Sequence, residues 1–123
     1  MAKKILVVDD DSAVRQAFIL VLEDAGYQVD TAESGEVGLE KYKNGQYDLI
    51  FLDLKMPGIK GTEVLKKIRE DSQDVPIYVV TAFHKEFLKD LQAIRKAGIS
   101  FDLLDKPVGN EQIIAVVEGV FGL

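Results

Sequence analysis

Four consecutive apolar residues, Leu49-Ile50-Phe51-Leu52, run straight into Asp53, and Met56-Pro57-Gly58 and Gly61 break the pattern soon afterwards. A short unbroken apolar run bounded by turn residues reads as a strand buried on both faces, the mark of a parallel sheet. Asp53 falls where that strand ends. A carboxylate at the end of a buried strand is costly unless something neutralises it. In open parallel sheets, ligands bind just outside the carboxyl ends of the strands. The question set by Asp53 is therefore which groups the other strands place beside it.

The rest of the chain alternates two patterns. Lys4 to Val8 is an apolar strand that ends in Asp9-Asp10-Asp11. Ser12 can cap a helix whose inward residues are Val14, Phe18, Val21, Leu22 and Ala25, with Gly26 as its stop. Asp11 reads as a local cap beside Ser12. Tyr27 to Ala32 is a second strand. Ser34 opens a helix carrying Val37, Leu39 and Tyr42, and Gly45 ends it. After the strand from Leu49 to Asp53, Thr62 caps a helix with Val64, Leu65 and Ile68 on one face. Pro76 leads into the fourth strand, Ile77 to Thr81, at a position a sheet tolerates. A helix from about Lys85 to Ala97 turns Leu88, Leu91 and Ile94 inward and stops at Gly98. The fifth strand is Phe101 to Asp105, and a last helix from about Asn110 carries Ile113, Ile114, Val117 and Phe121. Five strands alternating with five helices predict a doubly wound α/β fold with right-handed crossovers.

The strand ends can now be compared. The first delivers Asp9 and Asp10, the third Asp53, the fourth Thr81 followed by Ala82, and the fifth Lys106 followed by Pro107. Clustered carboxylates repel one another and raise their own pKa values. A hard divalent cation removes the repulsion, and Mg²⁺ takes such oxygen ligands while keeping waters. With a hydroxyl from Thr81 and a fixed charge from Lys106, the set makes a cradle for a phosphoryl group arriving on Asp53. Any one of these residues alone reads as a turn former or an ordinary surface group. Their placement at matching strand ends is what gives them meaning.

Composition narrows the field. With 21 acidic and 15 basic residues the formal charge is −6, which opposes direct binding to nucleic acid or to anionic membranes. There is no Cys, so disulfides, thiolate metal sites and thiol chemistry are excluded. A reducing, cytoplasmic setting fits that composition. No apolar run approaches membrane-spanning length, and the start is too short in its apolar part for a signal peptide. At 123 residues the chain suits one domain over residues 1–123.

Essentially the whole chain resembles the receiver domains of two-component response regulators. The resemblance rests on VVDDD after the first strand, LDLKMPGIKG around Asp53, VVTA at the fourth strand and LLDKP at the fifth. It implies a flavodoxin-like sheet of strand order 2-1-3-4-5, with Asp53 as phosphoacceptor for a sensor histidine kinase or a histidine phosphotransfer protein. It implies that Asp10, Asp53 and the Lys55 carbonyl bind Mg²⁺, or alternatively Mn²⁺, with Asp9 a ligand through water. Thr81 and the Ala82 amide would bind phosphoryl oxygens, Lys106 would pair with the phosphate, and the Lys106–Pro107 bond would be cis. The family often has Met-Asp-Gly where this chain has Ile59-Lys60-Gly61. It usually has Tyr or Phe three residues before the lysine, where Leu103 stands here, so Leu103 is the candidate for a smaller repacking. In the family, the residues two beyond the phosphoacceptor and two beyond the threonine control loss of the phosphate. Here they are Lys55 and Phe83, neither suited to orienting water, which predicts a long-lived phosphorylated form.

The first helix bears on partners. Ala13, Ala17 and Leu20 form a second apolar stripe, and Ile19 is also apolar, more than one buried face needs. Together with Val14, this stripe reads as a docking patch for a helical partner beside the active edge. His84, the only histidine, sits in a loop without surrounding motif and reads as a surface residue rather than a relay group. The chain ends immediately after its last helix, so output is expected through a downstream protein target. Three rival readings stay open. A flavin binder of the same fold would need a donor-rich loop where this chain has Asp9-Asp10-Asp11. A small aspartyl-phosphate phosphatase would want a second acid where Lys55 stands. A phosphate-independent interaction module would not need the acid, threonine and lysine set.

Overall fold

The computed structural model describes residues 2–82 and 85–122. Ten elements alternate along the chain: β1 (Lys4–Val8), α1 (Ser12–Asp24), β2 (Gln28–Ala32), α2 (Gly35–Asn44), β3 (Leu49–Leu52), α3 (Gly61–Asp71), β4 (Ile77–Thr81), α4 (Leu88–Lys96), β5 (Asp102–Asp105) and α5 (Asn110–Phe121). The strands form one parallel sheet in the order β2-β1-β3-β4-β5, as anticipated. Among the described residues, no helix is long and apolar enough to cross a membrane.

Alternation along the strands builds two cores, one on each face of the sheet. Leu6, Val8, Ile50, Leu52, Ile77 and Val79 face Leu39 of α2, Val64, Leu65 and Ile68 of α3, and Leu91 and Ile94 of α4. Ile5, Val7, Leu49, Phe51 and Val80 face Phe18 and Leu22 of α1 and Ile113 and Val117 of α5. Phe51 is the central side chain of the second face. Its ring centroid lies 4.8 Å from that of Phe18 and 6.0 Å from that of Tyr78.

Register decides what meets at the carboxyl edge. Val8 pairs with Ala32 on one side and Leu52 on the other, and Thr81 pairs with Asp105. The ladder continues one step past the strands. The amide of Asp53 donates to the Val8 carbonyl at 2.9 Å, and that of Lys106 donates to the Thr81 carbonyl at 3.1 Å. Asp9, Asp53, Thr81 and Lys106 therefore leave the sheet at the same edge.

Several local expectations are corrected. Asp11, not Ser12, caps α1: its backbone is extended and its carboxylate accepts from the amide of Ala13 at 2.9 Å. Ala25 is the exposed C-cap of that helix and not a core residue. Thr62 does not cap α3. The helix already begins at Gly61, and Thr62 is buried inside its first turn. Residues 85–87 form a turn before α4, and Phe87 takes the buried place expected for Leu88, which is 48% exposed. Phe87, Leu91 and Ile94 follow the i, i+4, i+7 spacing of a single stripe, so the larger ring claims the core. Tyr27 and Phe101 lie just outside β2 and β5. The ring of Tyr27 rests on Phe121 with centroids 5.5 Å apart, and Phe101 is buried against the first core.

Truncating the central ring tests this packing. Phe51→Ala is expected to lower unfolding free energy by roughly 3–5 kcal/mol in urea denaturation, the usual cost of a buried Phe cavity. A loss below about 1 kcal/mol would show that the α1/α5 face can collapse around the gap.

Candidate functional site

Asp9 and Asp53 are carboxylates that the fold takes almost completely out of water, at 2% and 4% exposure. Asp10, the next residue along, stays exposed. One carboxylate oxygen from each of the three lies within 4.8 Å of the others. Lys106 reaches into the cluster from the end of β5. Its Nζ stands 2.7 Å from Asp9 Oδ2 and 3.4 Å from Asp53 Oδ2. Backbone donors complete the shell. The Asp11 amide donates to Asp9 Oδ1 at 2.9 Å, and the Leu54 amide donates to Asp53 Oδ1 at 2.8 Å.

These partners do not fully compensate the burial. Desolvation, followed by the charge of Asp9, pushes Asp53 up to about 6, against the opposing pull of Lys106 and the Leu54 amide. Burial alone would lower the pKa of Lys106. The hydrogen bond to Asp9 and the charges of Asp53 and Asp9 outweigh that and raise it. One ammonium thus contacts two buried carboxylates, with the third, Asp10, exposed beside them. All the donors are hard oxygens, so the cluster suits a hard cation such as Mg²⁺ or Mn²⁺.

The remaining residues singled out from sequence are placed as follows. Thr81 is fully buried at the end of β4, and Ala82 follows it at the surface. The Lys106–Pro107 peptide is cis. Lys55 is exposed, and its ammonium lies 3.5 Å from Glu86 Oε2, so the side chain bridges the loop after β3 to the turn before α4. Phe83 and His84 lie outside the described residues. Leu103 pairs with Val79 and so shares the face of the sheet that carries α4. It is 39% exposed at the edge of the sheet. On α1, Ala13, Ala17 and Leu20 are exposed, Leu20 at 69%, while Val14 and Ile19 are half-buried. An apolar cavity of about 370 Å³ opens between α1 and the start of α5, with Val14, Ala17, Ala82, Lys106 and Pro107 in its lining.

Two supporting residues escaped the sequence reading. Arg15 donates from Nη1 to the Asp9 carbonyl at 2.8 Å and ties the first turn of α1 to the end of β1. Nothing in the local pattern marks it. Gly61 read only as a breaker, yet it is wedged against the backbone of the site. A Cβ there would sit 2.1 Å from the Asp53 carbonyl oxygen and 2.6 Å from Leu54 Cα. Its signal was available: a glycine opening a helix, where side chains that cap or stiffen are the commoner choice.

Both the sequence and the fold match known proteins. Residues 5–118 match the family described as response regulator receiver domain. The response regulator MprA of Mycobacterium sp. (strain KMS) is 37% identical over 118 residues, covering 94% of this chain and 49% of that protein. The chain therefore spans about half the length of the curated relatives it matches. Among solved structures, a CheY-like receiver domain protein from Methanospirillum hungatei superposes with a TM-score of 0.88 at 29% identity, covering 99% of this chain and 96% of that one. The response regulator TrrA from Thermotoga maritima, solved in complex with Mg²⁺ and BeF, gives 0.82 at 36% identity, with 96% and 98% covered.

The wedge at Gly61 has a direct test. Gly61→Ala should lower unfolding free energy by more than ~1 kcal/mol in urea denaturation, because both atoms it would strike are backbone. Wild-type stability in that variant would show that the loop after β3 can move away from Asp53 freely.

Proposed function

This chain belongs to the response regulator receiver domain family, and from that membership we propose that it accepts a phosphoryl group on Asp53 and signals the change to a partner protein. One observation carries the reading: Lys106 bridges Asp9 and Asp53, at 2.7 and 3.4 Å, in a cluster of three carboxylates at one sheet edge. The donor is a phosphohistidine on a sensor histidine kinase or a histidine phosphotransfer protein. An Asp53 carboxylate oxygen attacks phosphorus, the phosphorus–nitrogen bond breaks, and the histidine leaves. Asp10, Asp53 and the Lys55 carbonyl would hold Mg²⁺ or Mn²⁺, with Asp9 acting through water. The ion would supply positive charge against the carboxylates and the incoming phosphoryl oxygens. Thr81 and the Ala82 amide would receive those oxygens, and Lys106 would exchange its contact with Asp53 for one with the phosphate.

Two surfaces fit the partner steps. Val14, Ala17 and Leu20 beside the apolar cavity suit the phosphodonor, because that surface adjoins Lys106 and Pro107. Leu103, half-exposed on β5 three residues from Lys106, suits a response read by the downstream target. The setting is the cytoplasm, and the chain acts as a single receiver domain whose only catalysis concerns its own phosphate. The Lys55 stem, held toward Glu86, and Phe83 would screen the approach of water to the phosphate.

Incubation with acetyl phosphate and Mg²⁺ should add one phosphoryl group, read by intact mass. Asp53→Ala or a chelator should abolish it, and persistent labelling of Asp53→Ala would sink the assignment. For the screen, the double variant Lys55→Asn with Phe83→Glu should lose its phosphate clearly faster than wild type at equal Mg²⁺. Equal decay rates would remove both residues from any protective role.

A further inference from the structure

We infer that Glu36, in the first turn of α2, is a positioning residue for the phosphoacceptor site, holding the β3–α3 loop in place from the neighbouring helix. This rests on the phosphoacceptor reading of Asp53.

The loop from residue 53 to residue 60 supplies the Lys55 carbonyl proposed as a metal ligand, so its path sets where that oxygen stands. Its far end is fixed by Gly61, whose amide donates to the Leu54 carbonyl at 3.0 Å. Its middle contains no regular element, and Lys55 and Gly58 are exposed. Besides the buried Met56 and the Lys55–Glu86 pair, α2 holds the stretch at Gly58 and Ile59. Glu36 Oε2 accepts from the amide of Ile59 at 3.2 Å. Gly58 has φ +80, and a Cβ on it would lie 2.4 Å from Glu36 Oε2, so the carboxylate fills the space a side chain would take. Behind it, a Cβ on Gly35 would lie 2.7 Å from the Ile59 side chain and 3.0 Å from the Ile59 carbonyl oxygen. Glycine on each side thus permits the close approach, and the Glu36 carboxylate closes it with a hydrogen bond.

A blander role exists for an acid at this position. A carboxylate in the first turn of a helix is favoured by the helix dipole alone. A second alternative is plain attraction between the Glu36 charge and the cation. Both depend on charge, whereas the positioning role depends on an acceptor oxygen reaching Ile59. Gln separates them, since it keeps the oxygen and loses the charge.

The test uses the full chain, Mg²⁺ titration by calorimetry, and labelling with acetyl phosphate. Glu36→Ala should bind Mg²⁺ about five-fold more weakly, equivalent to ~1 kcal/mol, the size of one hydrogen bond. Its labelling should slow at limiting Mg²⁺ and recover at saturating Mg²⁺. Glu36→Gln should restore both readouts to near the wild-type values. Wild-type Mg²⁺ affinity in Glu36→Ala, while wild type itself binds and is labelled, would overturn this inference alone. Equal weakening in Gln and Ala would assign the effect to charge and also overturn it. If wild type neither binds Mg²⁺ nor takes up label, the phosphoacceptor reading fails and the role of Glu36 goes with it.

Discussion

Two carboxylates buried side by side set the terms for the whole molecule. Asp9 and Asp53 are adjacent because β1 and β3 are neighbours in register, and each strand ends one residue before its acid. Left alone, such a pair would be prohibitive. The fold answers with Lys106 from β5, with the Leu54 and Asp11 amides, and with nothing further of positive charge that touches both acids among the described contacts. The compensation is partial: burial first and the charge of Asp9 second leave Asp53 raised to about 6, above the usual carboxylate range. A cation placed among the three carboxylates would offset that cost.

Lys106 also joins the chemistry to the surface. The same side chain that bridges the acids lines the apolar cavity beside α1, with Pro107 and Ala82. One side chain therefore links the acid pair to the lining of that cavity. On the other side of the site, the β3–α3 loop is held by contacts that are individually weak. The Lys55–Glu86 pair is half-exposed at both ends, where ion pairs contribute about 0–1 kcal/mol. Their value lies in where they put the chain more than in how strongly they hold it.

Much of this was legible from residue order. Apolar runs ending in Asp9, Asp53, Thr81 and Lys106 marked both the strands and the edge on which they converge, because a buried parallel strand has an unmistakable composition. The α3 stripe of Val64, Leu65 and Ile68 was equally plain. Helix phase was not. Leu88 and Ala25 fit an apolar period as well as their neighbours did, and only tertiary contacts chose Phe87 and rejected Ala25. The supporting contacts were out of reach for another reason. Arg15 on the Asp9 carbonyl and Gly61 against Asp53 join residues that no local period relates. They exist only once the layers have closed.

The strand order has a further consequence for how the protein comes into being. β1, first in the sequence, lies inside the sheet, flanked by β2 and β3, while β5 forms the far edge. The acids of β1 and β3 can meet once the N-terminal half is assembled, but their lysine arrives only when the last strand docks. Contacts between residues so far apart in sequence are slow to form and pay loop-closure entropy before any return. Without that docking, the acid pair would lack the ammonium that bridges it in the folded chain. Docking of the last strand is thus one event with two results: it gives the acid pair its ammonium, and it closes the far edge of the sheet. A chain lacking that strand would keep the two acids and lose the ammonium that bridges them.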